Sequence, residues 1–394
     1  MPAPAAPLEM HHVTPSRRTT VLTVFGTRPE VVKLAPVLRQ LDLYPDEIRS
    51  VAVSSGQHTD LLAPFVKLFG VKVDRDLATM RPGQPLNLLA SRVLSELDAV
   101  LEQEKPDLVL VQGDTTTAVA AAWAAFHRGI AVGHVEAGLR TNDPLSPFPE
   151  ETNRRLITRL ARFHFAATPR NRHALRAEGV PQEQIFLTGN PVVDALQYMG
   201  TVLPTSERVE KLLDRTRGLR RIALTTHRRE SFGPTLIGNL TVLREFVETH
   251  DDVALIFPVH PNPVVREASN ILAGHPRILL ADPLDYADFI ALLSASWLIV
   301  SDSGGIQEEA PTLGKPLIVL RETTERPEAV ESGVARLAGT PELLAEALAE
   351  MNANPRSLRP IDNPFGKGDA GQRIVQAIRR AFRPQPTLLA EAGR

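Results

Sequence analysis

Glu136-Ala137-Gly138-Leu139-Arg140 sets a carboxylate directly after the apolar run Ala131–Val135, with a flexible glycine two residues on. A carboxyl group so placed can take or give a proton at an atom held above the strand end. Gly113-Asp114-Thr115-Thr116-Thr117 repeats the arrangement after Leu108–Gln112, although Asp114 equally suits the N-cap of the helix that follows. Glu150-Glu151 open another helical stretch, where they either favour the helix dipole or act as acids and bases. Arg154 lies one turn beyond Glu150 and is spaced to pair with it.

Cations occupy other strand ends. Thr226-His227-Arg228-Arg229-Glu230-Ser231 follows Arg221–Thr225 and offers directed donors for a pyrophosphate. Pro258-Val259-His260-Pro261 follows Val253–Phe257 and is a candidate wall for a base. In Ser301-Asp302-Ser303-Gly304-Gly305-Ile306-Gln307-Glu308-Glu309, Ser303 suits a helix N-cap and the two glycines let a phosphate approach the helix N-terminus. Glu309, about a turn and a half further on, suits both hydroxyls of a ribose, and Arg321 and Arg326 follow the next apolar run. Gly26-Thr27-Arg28-Pro29-Glu30, with Lys33 in the helix behind it, aims backbone N–H groups and Arg28 at an anion. Pro29 suits the first helical position, and the G-x-G-x-x-G dinucleotide fingerprint is absent from this turn. Asp74-Arg75-Asp76 has the D-x-D form that can hold a divalent cation, but no further oxygen ligands surround it, so it reads as a solvated turn and no metal is expected.

The elements that must position these groups are short runs of Val, Ile and Leu alternating with amphipathic stretches. Candidate strands are Thr20–Phe25, Ser50–Ser54, Leu108–Gln112, Ala131–Val135, Phe163–Ala167, Arg221–Thr225, Val253–Phe257, Ile278–Leu280, Leu298–Ser301 and Leu317–Leu320. Leu86–Gln103, Ala118–Arg128, Leu236–Thr249 and Leu284–Ala295 carry helical patterns between them. Strand and helix in alternation predict an α/β fold with parallel sheets covered on both faces. Gly, Pro, Thr and Ser cluster at Gly200–Ser206, which divides the chain into Rossmann-like domains at 19–200 and 206–366, with about five strands each and sheets facing across a cleft. A last helical pattern within 370–384 is placed to cross back onto the first domain. Such sheets bind ligands at the carboxyl ends of their strands, where the polar clusters fall.

Composition narrows the function. The 394 residues are 43% hydrophobic and 23% charged, with a net charge of −2, so no basic field draws in nucleic acid or an anionic membrane. The absence of cysteine removes thiolate chemistry and disulfides and fits a reducing, cytoplasmic setting. Residues 1–18, rich in Ala and Pro, lack the apolar core of a signal peptide and read as a floppy tail, and no apolar run is long enough to span a membrane.

Taken together, these stretches resemble the non-hydrolysing UDP-N-acetylglucosamine 2-epimerases. Beyond those above, the resemblance is carried by Val24-Phe25-Gly26, Gly133-His134-Val135-Glu136, Ser146-Pro147-Phe148-Pro149-Glu150-Glu151, Ser231-Phe232-Gly233 and Thr324-Glu325-Arg326-Pro327-Glu328-Ala329, in order from about Thr20 to Phe382. It implies a fold similar to GT-B glycosyltransferases, UDP held mainly by the second domain, and interconversion of UDP-GlcNAc and UDP-ManNAc with neither metal nor nicotinamide. The implied route is anti-elimination of UDP to 2-acetamidoglucal and re-addition. By the same resemblance, Asp114 and Glu150 are candidates for proton transfer at C2, Glu136 supports the sugar or shares that work, and His227 meets the phosphates. Arg28, Lys33, Ser303, Gly304, Gly305, Glu309 and Arg326 match nucleotide and sugar contacts, with Arg154, Arg228 and His260 as further candidates. A homodimer is also implied.

One stretch departs from the pattern. Members activated by UDP-GlcNAc at a second site carry Gln-His-x-Gln, whereas this chain has Gln57-His58-Thr59-Asp60, which puts allosteric activation in question. The competing readings are a GT-B-type transferase with an acceptor, a non-catalytic nucleotide-sugar sensor, and an epimerase of a related sugar such as a 2,3-diacetamido uronate.

Overall fold

The computed structural model describes residues 17–56, 59–141, 143–202, 205–228, 231–354 and 362–383. Most of the expected tail lies outside them, as do Gln57, His58, Arg229, Glu230 and residue 384 of the last helix. Strands β1 (Thr19–Phe25), β2 (Ile48–Ser54), β3 (Arg75–Asp76), β4 (Leu108–Gln112), β5 (Ala131–Ala137), β6 (Phe163–Ala166) and β7 (Ile185–Leu187) form a seven-stranded parallel sheet in the order β3-β2-β1-β4-β5-β6-β7. Strands β8 (Arg220–Thr225), β9 (Val253–Pro258), β10 (Ile278–Ala281), β11 (Leu298–Ser301), β12 (Leu317–Val319) and β13 (Ala335–Leu337) form a six-stranded parallel sheet in the order β10-β9-β8-β11-β12-β13.

Apolar runs become central strands here because both faces are covered. Along β1, Val21 and Phe25 enter the apolar layer shared with the Arg28–Asp42 helix, while Leu22 and Val24 enter the opposite layer with the helices Leu86–Glu104 and Thr116–His127. Sequence reading misses three strands. Arg75–Asp76 is a two-residue edge strand paired with Val53 and Ser54, not a solvated turn, and Asp74 Oδ2 accepts a hydrogen bond from Ala52 N at 2.9 Å. Ile185–Leu187 and Ala335–Leu337 have three residues each, too few to show a period.

The chain crosses between the two sheets twice. It leaves the first after the Pro191–Val202 helix and returns as Ala370–Phe382, which packs on the Arg28–Asp42 helix. Ala370 N and Gly371 N donate to the two oxygens of Asp194, at 3.2 and 2.9 Å, and a Cβ on Gly371 would stand 2.9 Å from Pro36 O. Among the described residues no helix is long and apolar enough to cross a membrane. Both sheets reverse their strand order once, beside β1 and β4 in the first and beside β8 and β11 in the second. Those switch points open the crevices where α/β proteins hold ligands.

Candidate active site

Both switch points carry the polar clusters picked out above, and buried side chains join them. In the first, Thr27 begins the Arg28–Asp42 helix and Pro29 takes its second position rather than its first. Glu30 reaches back: Oε2 accepts from Gly26 N (3.0 Å), Thr27 N (2.8 Å) and Thr27 Oγ1 (2.8 Å), while Oε1 accepts from Thr115 Oγ1 (2.8 Å). One carboxylate thus ties the loop after β1 to the loop after β4. Burial pushes its pKa up to about 7 against the lowering effect of those donors.

Thr115, not Asp114, caps the Thr116–His127 helix, accepting from Ala118 N at 3.0 Å. Asp114 is thereby released from the capping role. Its Oδ2 accepts from Arg154 Nε (2.8 Å) and its backbone carbonyl from Asn153 Nδ2 (2.8 Å). The expected Glu150–Arg154 pair is replaced: Arg154 bonds Asp114, with its second terminal nitrogen at 2.6 Å, and stands 3.2 Å from Glu151. Glu151 is fully buried and also takes Arg155 Nε (2.9 Å) and Thr141 N (3.1 Å), so it holds the backbone at Thr141. Glu150, at the first helical position and half-buried, carries no ion pair among the described residues. His134 supports the same wall, its Nε2 2.8 Å from Gly113 O, and burial holds it neutral with a pKa of about 3.

Glu136 does not follow its strand but belongs to it. The β5–β6 pairing slips between Val135 and Ala137, and Glu136 takes a left-handed backbone (φ 64°). A non-glycine residue rarely adopts that conformation, and a bulge of this kind re-aims a side chain at a site. Lys33 Nζ stands 2.7 Å from both Glu136 oxygens, and Gln112 Nε2 donates to Oε2. Burial raises Glu136 above the usual carboxylate range, and Lys33 pulls against that shift. Burial alone would lower Lys33, but Glu136 and Glu308 outweigh it and hold the ammonium charged.

At the second switch point Asp302, fully buried, organises the loop after β8. Its Oδ2 accepts from Thr226 Oγ1 (2.8 Å), His227 N (2.8 Å) and Arg228 N (2.9 Å), and its Oδ1 lies 3.0 Å from His227 Nδ1. The His260 ring lies tilted beside that of His227, with centroids 5.9 Å apart. Ser303 occupies the N-cap of the Gly304–Thr312 helix, yet its hydroxyl makes no capping bond, leaving the helix N-terminus open to an anion. Arg326 lies over it: an added Cβ on Gly304 would meet the guanidinium at 2.7 Å. Arg326 is held by Glu308 (2.6 Å) and Glu325 (2.8 Å), and Glu325 also takes Arg321 at 2.7 Å. These cations draw Glu325 down to about 2 although burial acts the other way. Glu309 Oε1 accepts from Tyr286 Oη at 2.7 Å.

The halves meet through this network. Lys33 hydrogen-bonds Glu136 of the first half and forms an ion pair with Glu308 of the second, at 2.8 Å. Phe65 packs on Tyr286 (centroids 5.3 Å), and Arg28 lies over Phe65 at 5.6 Å. Sequence reasoning passed over Glu30, Asp302, Glu308, Glu325 and Tyr286 as site residues. Glu30, Asp302, Glu308 and Glu325 stand in the quoted motifs, but only packing across the cleft distinguishes them from their neighbours; Tyr286 carried no signal. Thr59 and Asp60 open the helix Thr59–Leu68.

Residues 42–379 match the family model described as UDP-N-acetylglucosamine 2-epimerase. UDP-N-acetylglucosamine 2-epimerase of Escherichia coli K12 is 44% identical over 369 residues, spanning 91% of this chain and 98% of that protein. The crystal structure of UDP-GlcNAc 2-epimerase from Neisseria meningitidis, bound to UDP-GlcNAc, superposes with a TM-score of 0.84 at 40% identity, covering 92% of this chain and 100% of that one. The fold reaches further, to the glycotransferase of kitacinnamycin, at 16% identity and a TM-score of 0.59 over 93% of this chain and 99% of that one. The two facing parallel sheets are therefore GT-B-like.

Proposed function

This chain belongs to the UDP-N-acetylglucosamine 2-epimerase family, and from that footing we propose that it interconverts UDP-GlcNAc and UDP-ManNAc by eliminating and re-adding UDP. The observation that carries the reading is the meeting, in one cleft, of an anion site on the second sheet with carboxylates on the first. A nucleotide sugar laid across it has its pyrophosphate near the Ser303-Gly304-Gly305 turn, Arg326, Arg28, Lys33 and His227, its ribose near Glu309, and its sugar toward Asp114, Glu136 and Glu150.

The C2 proton of the sugar is not acidic. Its removal must be concerted with departure of the anomeric oxygen: the C2–H electrons form the C1=C2 bond as the C1–O bond breaks, giving 2-acetamidoglucal and UDP. Cations and helix N–H groups stabilise the charge arriving on UDP, and carboxylates move the proton. Return of a proton to the opposite face of C2, with UDP re-adding at C1, gives the epimer. Asp114 and Glu150 are assigned to proton transfer, Glu136 to sharing that work or holding the sugar, and His227 to the phosphates. Arg154 acts through Asp114, which it holds at 2.6 Å. Arg228 and His260 flank His227. The reading includes a homodimer; Asp60 stands where members activated by a second UDP-GlcNAc carry Gln, so the reading does not include that regulation.

Proton NMR of the protein with UDP-GlcNAc in D2O tests the proposal. Deuterium entering at C2 while UDP-ManNAc grows in is the expected result. If UDP binds but neither UDP-GlcNAc nor a 2,3-diacetamido uronate analogue exchanges, the cleft belongs to a transferase or a sensor instead.

A further inference from the structure

We propose that Glu308 is a positioning residue for this reaction: its carboxylate holds Lys33 from one half and Arg326 from the other, and so ties the charge at the pyrophosphate site to proton transfer at Glu136. The proposal rests on the epimerase reading of the cleft.

Glu308 lies one turn beyond Gly304 on the same helix, and its side chain is 2% exposed. Each oxygen serves one cation: Oε1 is 2.6 Å from Arg326 Nε, and Oε2 is 2.8 Å from Lys33 Nζ. Lys33 continues to both oxygens of Glu136 at 2.7 Å, and Arg326 continues to the glycine turn, within 2.7 Å of an ideal Cβ on Gly304. One side chain therefore lies between a group that faces phosphate and a carboxylate that faces sugar. Stability alone gives weak reason for it, since an apolar cluster of similar volume commonly matches a buried ion triad.

Three charged groups act on Glu136: Lys33 on the Arg28–Asp42 helix, Glu308 on the Gly304–Thr312 helix and Arg326 just before the Pro327–Glu331 helix; the neutral amide of Gln112 on β4 also bonds it. Glu308 faces Lys33 and Arg326, with Glu309 beside it in sequence. As the leaving oxygen of UDP gains negative charge, it draws on Lys33 and Arg326. Lys33 then holds the negative form of Glu136 less strongly, so that carboxylate accepts a proton more readily at the moment one must move. Glu308 keeps Lys33 where it can serve both partners. Without the Glu308 charge, both cations bind their remaining anions more strongly: UDP is held tighter and Glu136 becomes a weaker base.

Glu308→Gln separates this from a purely structural role. UDP affinity, measured by titration calorimetry, is expected to stay level or tighten up to about tenfold, as removal of one nearby negative charge allows. The kcat for C2 exchange should fall about 10- to 100-fold, and the acid limb of its pH profile should move about one unit lower. UDP affinity falling in step with kcat, or an unmoved acid limb, overturns the proposal. Glu308→Asp keeps the charge on a shorter arm and is the second test, the more so if the Gln variant does not fold: its acid limb should stay at the wild-type position, and a shift like that expected for Gln overturns the proposal. Wild-type protein inert toward C2 exchange would overturn the epimerase reading itself; active wild type with weakened UDP binding in Glu308→Gln overturns this proposal alone.

Discussion

The two switch points use the same architecture for opposite charge. At the switch point of the seven-stranded sheet Asp114 follows β4, Glu136 sits in the bulge of β5 and Glu150 opens a helix, and cations pair with the first two: Arg154 with Asp114 and Lys33 with Glu136. At the edge of the six-stranded sheet the order inverts. There the carboxylates serve their partners: Asp302 holds His227, Glu308 holds Arg326 and Glu325 holds Arg321, with Arg326 beside an open helix N-terminus. In the Asp302–His227 and Glu308–Arg326 pairs the carboxylate is the more buried member, in the Asp114–Arg154 pair it is the more exposed one, and Lys33 and Glu136 are both buried. Asp302 and Glu308 are 0% and 2% exposed, whereas Asp114 keeps 23% of its side chain accessible.

If that division is right, substitutions on the two edges must fail in different ways. The largest effect is expected from Asp114→Asn, which keeps the shape and removes the carboxylate proposed for proton transfer. C2 exchange should drop by about 10²–10⁴-fold, the span typical of a lost general base, with UDP affinity nearly intact; exchange retained in D2O would remove Asp114 from proton transfer. Next, Arg326→Gln should weaken UDP binding by about 10²-fold, the scale of a lost charge-assisted contact, and calorimetry showing unchanged affinity would contradict the placement of the anion. Gly304→Ala is milder. The new methyl meets the Arg326 guanidinium at 2.7 Å, so the arginine must shift, and UDP affinity should fall by about tenfold while thermal stability changes little.

The smallest effect concerns the first edge and stability. Glu30 has a folded pKa of about 7 against an ordinary 4.5, so between those values the native protein binds a proton that the unfolded chain has released. Stability should therefore fall as pH rises from about 4.5 to about 7 and level off above. Glu30→Gln should flatten that slope; an unchanged slope in urea titrations across the window would mean that other groups set it.

How much of this was legible depended on the range of the interaction. Leu108–Gln112 and Leu298–Ser301 are strands at the bounds their apolar runs predict, because a central parallel strand needs an unbroken apolar run. Strand ends then located Asp114, His227 and Ser303, since topology fixes where an α/β sheet opens. Glu136 was legible as a residue but not as a bulge, for no local pattern reports a slipped register between Val135 and Ala137. The partner of Arg154 was misread because helical spacing sees Glu150, while the guanidinium turns off the helix toward a loop 40 residues earlier. Glu308 was invisible as a bridge: in sequence it is simply the neighbour of Glu309, and Lys33 joins it only after both sheets have folded and met.

The double passage of the chain between the sheets has a mechanical consequence. Two bodies joined by one tether can swing and swivel about it in any direction. Two passages, here following the Pro191–Val202 helix and preceding the Ala370–Phe382 helix, restrict that freedom. The Asp194 carboxylate grips the start of the returning helix and so ties it to the helix from which the chain left. Any change in the angle between the sheets would stretch the 2.8 Å span from Lys33 to Glu308.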